Sequence, residues 1–262
     1  MTPAIIAHAG PLLARYDAVF CDVWGVLHDG RRAHAEAGEA VARFRADGGT
    51  VVLVSNAPIP EDGVAAVLAK TGVRRDAWDA IVSSGDIALR HVAEKGYRRL
   101  HQVGPSRRDY RLYVRLPVPQ QVALAEAEAI ICTGLFDDRK ETIADYRDMI
   151  AAGLARGLPF VFGGDVFWAG KPHPAAYAAA LERAQGVRGK PIPLRRILAV
   201  GDAVRTDLAA ARGLGVDALL IAGGIHDHEL LRAGEIDRDR LAALFARPET
   251  PPAVAAMTRL RW

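Results

Sequence analysis

The feature that most constrains this chain is the alternation, over most of its 262 residues, of short β-rich apolar runs with segments of helical periodicity. Ala18 to Asp22 is the first apolar run. After it, Ala37, Ala40, Val41 and Phe44 recur at three, four and seven residues, which lines one helix face that stops at Gly48-Gly49. Thr50 to Val54 is near-continuously apolar, the pattern of a strand covered on both faces. A helix near 61 to 70, a strand from Ala80 to Val82 and a helix near 86 to 95 complete a βαβαβα series. The rhythm resumes after Gly164 with a helix over 174 to 184, strand Arg196 to Val200, a helix over 205 to 213 and strand Ala218 to Ile221. Such alternation predicts an α/β fold on a parallel sheet.

Between these halves the texture changes. Arg98 to Val103 reads as a strand, and the turn-rich stretch that follows has poor periodicity. A strand at Ala129 to Cys132 then precedes a helix near 140 to 155, with Ile143, Tyr146, Ile150 and Leu154 on one face, and a strand at Pro159 to Phe162. The expected organisation is a split core, 1–96 and 165–262, interrupted by a smaller α/β unit over 97–164. The remaining tail is expected to hold a short helix or two and a Pro-containing end.

Composition excludes several classes. Half the residues are hydrophobic and a quarter charged, which is ordinary globular usage. The 34 basic residues exceed the 31 acidic by three, with no run of five or more like charges, so no nucleic-acid footprint is expected. Only five of the basic residues are Lys. Cys21 and Cys132 lie in apolar runs and read as core hydrophobes rather than a disulfide, which suits a reducing compartment. The N-terminal segment lacks a basic n-region, and no stretch approaches about 18 consecutive apolar residues, so a cytoplasmic protein without membrane attachment is expected. A homo-oligomer is compatible with the sequence, which contains no pattern that specifies one.

Four short segments carry polar residues suited to chemistry, three of them at the C-terminal ends of apolar strands, where parallel sheets bind ligands. Asp22 emerges from the first strand in Asp22-Val-Trp-Gly-Val, with a glycine three residues on that permits a tight turn. Ser55-Asn56 closes the next strand ahead of a helix whose N–H groups can hold an anion. Either pair alone is equally an ordinary turn or cap. Lys171 in Gly170-Lys171-Pro172-His173-Pro174 is fixed directly before a helix, where a cation opposes the macrodipole unless an anion compensates it. Asp202 and Asp207 flank a strand-to-helix junction; Asp207 alone also reads as a helix-start charge. Jointly, two acids for a hard cation, a lysine and a hydroxyl-amide pair make a site for a phosphate plus Mg²⁺.

Taken in order, Asp22-Val-Trp-Gly-Val, Ser55-Asn56, Gly170-Lys171-Pro172 and Gly201-Asp202…Asp207 resemble the four motifs of the haloacid dehalogenase superfamily, and the interruption between the second and third is similar to the cap of its class IIA phosphatases. The resemblance implies a Rossmann-like three-layer core with an inserted α/β cap, acting on small phosphorylated metabolites. It implies Asp22 as the nucleophile that forms an aspartyl-phosphate, and Asp22, the backbone carbonyl of Trp24 and Asp202 as Mg²⁺ ligands. Ser55, Asn56 and Lys171 are then expected to hold the phosphoryl oxygens, with Lys171 also catalytic and Asp207 supporting the metal from behind.

Two departures qualify the resemblance. Phosphatases of the superfamily usually carry a second Asp two residues after the nucleophile as general acid and base; here Trp24 stands there. An indole neither gives nor takes a useful proton, so a contribution of about 10²–10⁴-fold is missing unless His28, Asp29 or a cap residue supplies it. The cap, too, is expected to be shortened: Phe162 runs through Gly163-Gly164-Asp165 straight to Lys171 where relatives carry a further loop and helix. The expected function is Mg²⁺-dependent hydrolysis of small phosphomonoesters. The alternatives are a non-catalytic phospholigand-binding or regulatory protein and, third, a dehalogenase-type hydrolase, whose chemistry uses no metal. His226 and His228 are expected to cap the helix that follows them rather than bind a metal.

Overall fold

A computed structural model describes residues 1–105, 107, 112, 114–115, 120–137, 139–162 and 170–262. In chain order the strands are β1 (Ala4–Ile5), β2 (Ala18–Cys21), β3 (Thr50–Ser55), β4 (Ala80–Ser83), β5 (Arg99–Val103), β6 (Gln120–Gln121), β7 (Ala129–Cys132), β8 (Phe160–Phe162), β9 (Ile197–Gly201), β10 (Asp217–Ile221), β11 (Leu231–Arg232), β12 (Glu235–Ile236) and β13 (Ala255–Met257). The α-helices are α1 (Gly10–Leu13), α2 (Ala35–Ala46), α3 (Glu61–Thr71), α4 (Ser84–Lys95), α5 (Arg147–Ala155), α6 (Pro174–Arg188), α7 (Ala209–Leu214), α8 (Asp227–Leu230) and α9 (Arg238–Phe245).

The main sheet is parallel throughout, in the order β1-β13-β10-β9-β2-β3-β4. Its strands alternate side chains between two apolar clusters. Val19, Val51, Leu53, Leu198 and Leu219 join Ala37, Ala40, Val41, Phe44, Val64 and Leu68 of α2 and α3 on one face. Phe20, Val52, Val54, Ile197 and Leu220 join residues of α6, α7 and α9 on the other. Helices thus cover both faces, which explains why the strands read as unbroken apolar runs and gives the Rossmann-like three-layer arrangement. Each fully buried Val, Leu, Ile or Phe contributes about 1.5–3 kcal/mol.

The second sheet, β6-β5-β7-β8, is also parallel and has its own apolar cluster around Leu100, Ala129, Ile131 and Val161. Ala88 and Val92 of α4 belong to this cluster, so α4 starts in the main core and finishes in the core of the insertion. The boundary expected at 164 and the short link through Gly163-Gly164-Asp165 lie outside the described residues.

Three sequence expectations change. The helix near 140 to 155 is a 3₁₀ turn at Ile143–Tyr146 followed by α5, and the apolar face through Ile143 and Leu154 is exposed, at 74% and 64%. The helix instead meets the sheet through Gly153, where a Cβ would lie 2.7 Å from Ile130 and 2.9 Å from Phe160. The stretch from 205 opens with a π-helical turn, Val204–Leu208, before α7. The C-terminal tail adds β13 to the main sheet between β1 and β10. Cys21 is buried, Cys132 half-buried, and both are free thiols. No described helix is long and apolar enough to cross a membrane.

Candidate active site

The polar residues converge where the central strand ends. Asp22 follows β2, which lies between β9 and β3, and its N–H donates to the Val200 carbonyl at 2.8 Å. Asp202 follows β9, and Lys171 stands just before α6. The Lys171 Nζ donates to Asp22 Oδ1 at 2.5 Å and to Asp207 Oδ1 at 2.6 Å, all nearly excluded from solvent. The other Asp207 oxygen accepts the Ala203 N–H at 3.1 Å, and Asp202 Oδ2 accepts the Ile225 N–H at 2.7 Å. Ligand oxygens of Asp22, Asp202 and Asp207 all lie within 4.8 Å of one another.

Three carboxylates therefore face one ammonium. Burial pushes the Asp22 carboxyl up to about 8; Lys171 opposes the shift, while Asp207 and Asp202 add to it. Burial and then Asp207 push Asp202 up to about 6. Burial draws the Lys171 ammonium down, but Asp207 and Asp22 together hold it above its ordinary value. This uncompensated charge on hard oxygen donors fits a divalent cation such as Mg²⁺. Both oxygens of Asp207 accept hydrogen bonds from Lys171 and Ala203, so it suits the expected supporting place behind Asp22 and Asp202.

Two positions in the loops around Asp202 admit no side chain. Gly25, at φ +84°, sits so close that a Cβ would fall 1.9 Å from Asp202 Oδ2, and one on Gly224 would fall 2.0 Å from the same atom. Gly25 is thus needed for close approach as well as for its left-handed turn. Gly224, Ile225 and Tyr177, whose hydroxyl donates to the Asp207 carbonyl at 3.5 Å, were not found by sequence reasoning. The Gly223-Gly224 pair, one residue beyond the strand Ala218 to Ile221, was the available signal for the first two.

Asn56 is brought beside Lys171, and Ser55 precedes it as the last residue of β3. Ser55 Oγ accepts the Ala57 N–H at 3.2 Å. The Asn56 carboxamide, expected on a phosphoryl oxygen, engages the Lys171 peptide: Oδ1 accepts its N–H at 2.7 Å and Nδ2 donates to its carbonyl at 3.0 Å. His226 does not cap α8 with its ring; Nε2 accepts the Val204 N–H at 3.4 Å and Nδ1 lies 3.0 Å from Glu229. His173 does cap α6, accepting the Ala175 N–H.

Trp24 is half-exposed on the loop after Asp22, and a Cβ on Gly30 would lie 3.2 Å from its indole nitrogen. The two residues of that loop expected as substitutes for the missing acid are otherwise engaged. His28 is 4% exposed, its Nδ1 accepts the Gly30 N–H at 2.8 Å, and burial pushes its pKa down. Asp29 Oδ1 accepts the N–H groups of Arg32 and Arg31, each at 2.8 Å, which hold the carboxyl below its ordinary value and therefore ionised.

Comparison with known proteins agrees with this geometry. Residues 19–111 match the family model described as haloacid dehalogenase-like hydrolase, and residues 168–246 match one described as HAD-hydrolase-like. A search of the curated proteins returns no match. Among solved structures, a hydrolase of the haloacid dehalogenase-like family from Brucella suis 1330 is 35% identical over 98% of this chain and all of its own, with a TM-score of 0.81. A possible sugar phosphatase from Cytophaga hutchinsonii has a TM-score of 0.70 at 19% identity, over 97% of each chain. A glycerol phosphate phosphatase from Mycobacterium tuberculosis in complex with magnesium has a TM-score of 0.64 at 19% identity, over 92% of this chain and 74% of its own. Four motifs at one sheet edge, two family models and a 35% identical relative along nearly the whole chain place it in one group: it belongs to the haloacid dehalogenase-like hydrolase family.

Proposed function

We propose that this protein hydrolyses small phosphomonoesters with Mg²⁺ and an aspartyl-phosphate on Asp22. The observation that carries the reading is the contact of Lys171 Nζ with both Asp22 and Asp207, with Asp202 beside them. A carboxylate needs no activating base once ionised, and the ammonium beside it opposes the charge gathered on a transferring phosphoryl group. Asp22, the Trp24 carbonyl and Asp202 would hold Mg²⁺, which, when bound, supplies charge neutralisation to the phosphoryl oxygens.

The chain's own steps follow. Ser55 and Lys171 orient the phosphoryl group; an Asp22 oxygen attacks phosphorus, and the ester P–O bond breaks with its electron pair on the leaving oxygen. Water then attacks phosphorus, the aspartyl P–O bond breaks, and Asp22 returns as a carboxylate with inorganic phosphate released. In the first step the leaving oxygen takes its proton from solvent, because Trp24 offers none. The insertion that carries β5 to β8 is read as the cap over this site.

A second reading, binding of a phospholigand without turnover, draws on the engagement of His28 and Asp29 in their own loop. Phosphate release from p-nitrophenyl phosphate by purified protein separates the two. Mg²⁺-stimulated release that is lost in Asp22→Asn supports hydrolysis; calorimetric binding of phosphometabolites with no release supports binding alone.

A further inference from the structure

The contact between Asn56 and Lys171 joins two loops that lie 115 positions apart in sequence. Asn56 is the first residue after β3, and its carboxamide pairs with both polar groups of the Lys171 peptide: the N–H donates to Oδ1 at 2.7 Å and the carbonyl accepts from Nδ2 at 3.0 Å. An amide matching a peptide in this way fixes position and rotation together, because sliding or turning the peptide breaks at least one bond. From that peptide the Lys171 side chain runs inward, and its ammonium reaches Asp22 at 2.5 Å and Asp207 at 2.6 Å. Asn56 is itself anchored from beneath. The buried Ser84 hydroxyl, at the start of α4, donates to the Asn56 carbonyl at 2.8 Å and lies 3.0 Å from the Ala57 carbonyl.

We infer that Asn56 is the positioning residue for Lys171, and that its carboxamide acts on the phosphoryl group only through that lysine. The inference rests on the proposed hydrolase reading for its substrate and replaces the expectation that the Asn56 side chain binds phosphate directly. The physical reason is the sensitivity of rate to alignment at the reacting group: an ammonium displaced by about 1 Å can cost about 10²-fold in rate. Ser84 extends the support by one layer into α4, the helix whose Ala88 and Val92 pack in the core of the insertion.

The test is a double-mutant cycle of Asn56→Ala and Lys171→Ala, read in two ways on the full chain with Mg²⁺: kcat and KM for p-nitrophenyl phosphate, and the calorimetric Kd for inorganic phosphate. Asn56→Ala is expected to lower kcat by about 10²-fold with KM moved far less, and Lys171→Ala by about 10²–10³-fold. In the Lys171→Ala background Asn56→Ala should cost nothing further. Asn56→Asp keeps the acceptor for the Lys171 N–H but sets a carboxylate oxygen against the Lys171 carbonyl, so it should lose at least as much kcat as Asn56→Ala, and again nothing further without Lys171. It also stands in if the alanine variant melts early by circular dichroism. Equal losses from Asn56→Ala with and without Lys171 would mean that Asn56 acts on phosphate independently, which overturns the inference. A wild type that releases no phosphate defeats the hydrolase reading alone, since the same cycle on the phosphate Kd still reads the coupling. A wild type that neither turns over nor binds phosphate overturns both.

Discussion

The two sheets differ in how completely they are enclosed. In the main sheet every strand residue from Ala18 to Cys21 and from Ile197 to Gly201 is buried, and helices close both faces. In the insertion, α5 approaches its sheet through Gly153, while Ile143, Leu154 and Phe136 remain exposed. The charged cluster of Asp22, Lys171, Asp202 and Asp207 belongs wholly to the enclosed region. A buried, uncompensated set of carboxylates is sustained only where the surrounding packing prevents it from spreading apart or flooding with water. The difference places the charged cluster in the enclosed half; under the proposed function, phosphoryl chemistry belongs there and substrate selection to the half with more exposed apolar surface.

The largest expected effect lies in the enclosed half. Asp22→Asn should lower Mg²⁺-dependent phosphate release by at least about 10⁴-fold while leaving the melting temperature near or above that of wild type, because one buried negative charge is removed. Activity within tenfold of wild type would put the nucleophile elsewhere.

Next comes the contrast in packing. Phe20→Ala, in the main sheet and edge-on to Tyr177, should destabilise by about 3–5 kcal/mol in denaturant unfolding. Leu154→Ala, on the exposed face of α5, should stay within about 0.5 kcal/mol. Comparable losses at the two positions would show that a partner or neighbouring element covers the α5 face.

A smaller effect concerns the acid that Trp24 cannot supply. Trp24→Asp restores a carboxyl at that position and should raise kcat/KM for alkyl phosphates over aryl phosphates by about tenfold or more, since only the poorer leaving group needs a proton. An unchanged ratio contradicts this account of the loop.

The gentlest perturbation is pH. The Asp22 and Asp202 carboxyls are raised to about 8 and about 6, so below pH 8 a cation must displace protons to bind. Mg²⁺ affinity measured by calorimetry should therefore weaken as pH falls from 8 to 6, by up to about tenfold per unit for each proton displaced. For the metal-free protein the sign follows from folded values above unfolded ones. These groups stabilise the fold at low pH, and that stabilisation is lost as pH rises through 6 and 8. Scanning calorimetry should show the metal-free melting temperature falling across this window and Mg²⁺ restoring more of it at pH 8 than at pH 6. A flat Mg²⁺ affinity would remove the carboxylates from the cation site.

Much of the enclosed half is legible in the sequence, because a strand covered on both faces must be apolar at every position. The Val51 to Val54 run shows this, and polar residues at the ends of such runs stand out. Asp22 and Asp202 are found in this way, whereas Lys171 stands out by its fixed place before a helix and Asp207 by its spacing from Asp202. Less is legible where contacts are long-range or made by backbone. Nothing local tells that the Asn56 carboxamide meets a peptide beyond α4 and the insertion, or that the Ile225 N–H meets Asp202. The strand β13, Ala255–Met257, follows a proline pair and is too short for periodicity to register. The apolar spacing puts Ile143, Tyr146, Ile150 and Leu154 on one helix face, but spacing cannot say that a glycine on the same helix allows a closer approach from another side.

The account turns on a phosphoryl group carried by Asp22. Protein mixed with p-nitrophenyl phosphate and Mg²⁺, quenched in acid within the first turnover and digested, can be read by mass spectrometry. The account predicts a peptide heavier by one phosphoryl group, with the modification at Asp22, absent without Mg²⁺ and absent from Asp22→Asn. Mg²⁺-dependent phosphate release with Asp22 unmodified at every quench time would contradict it.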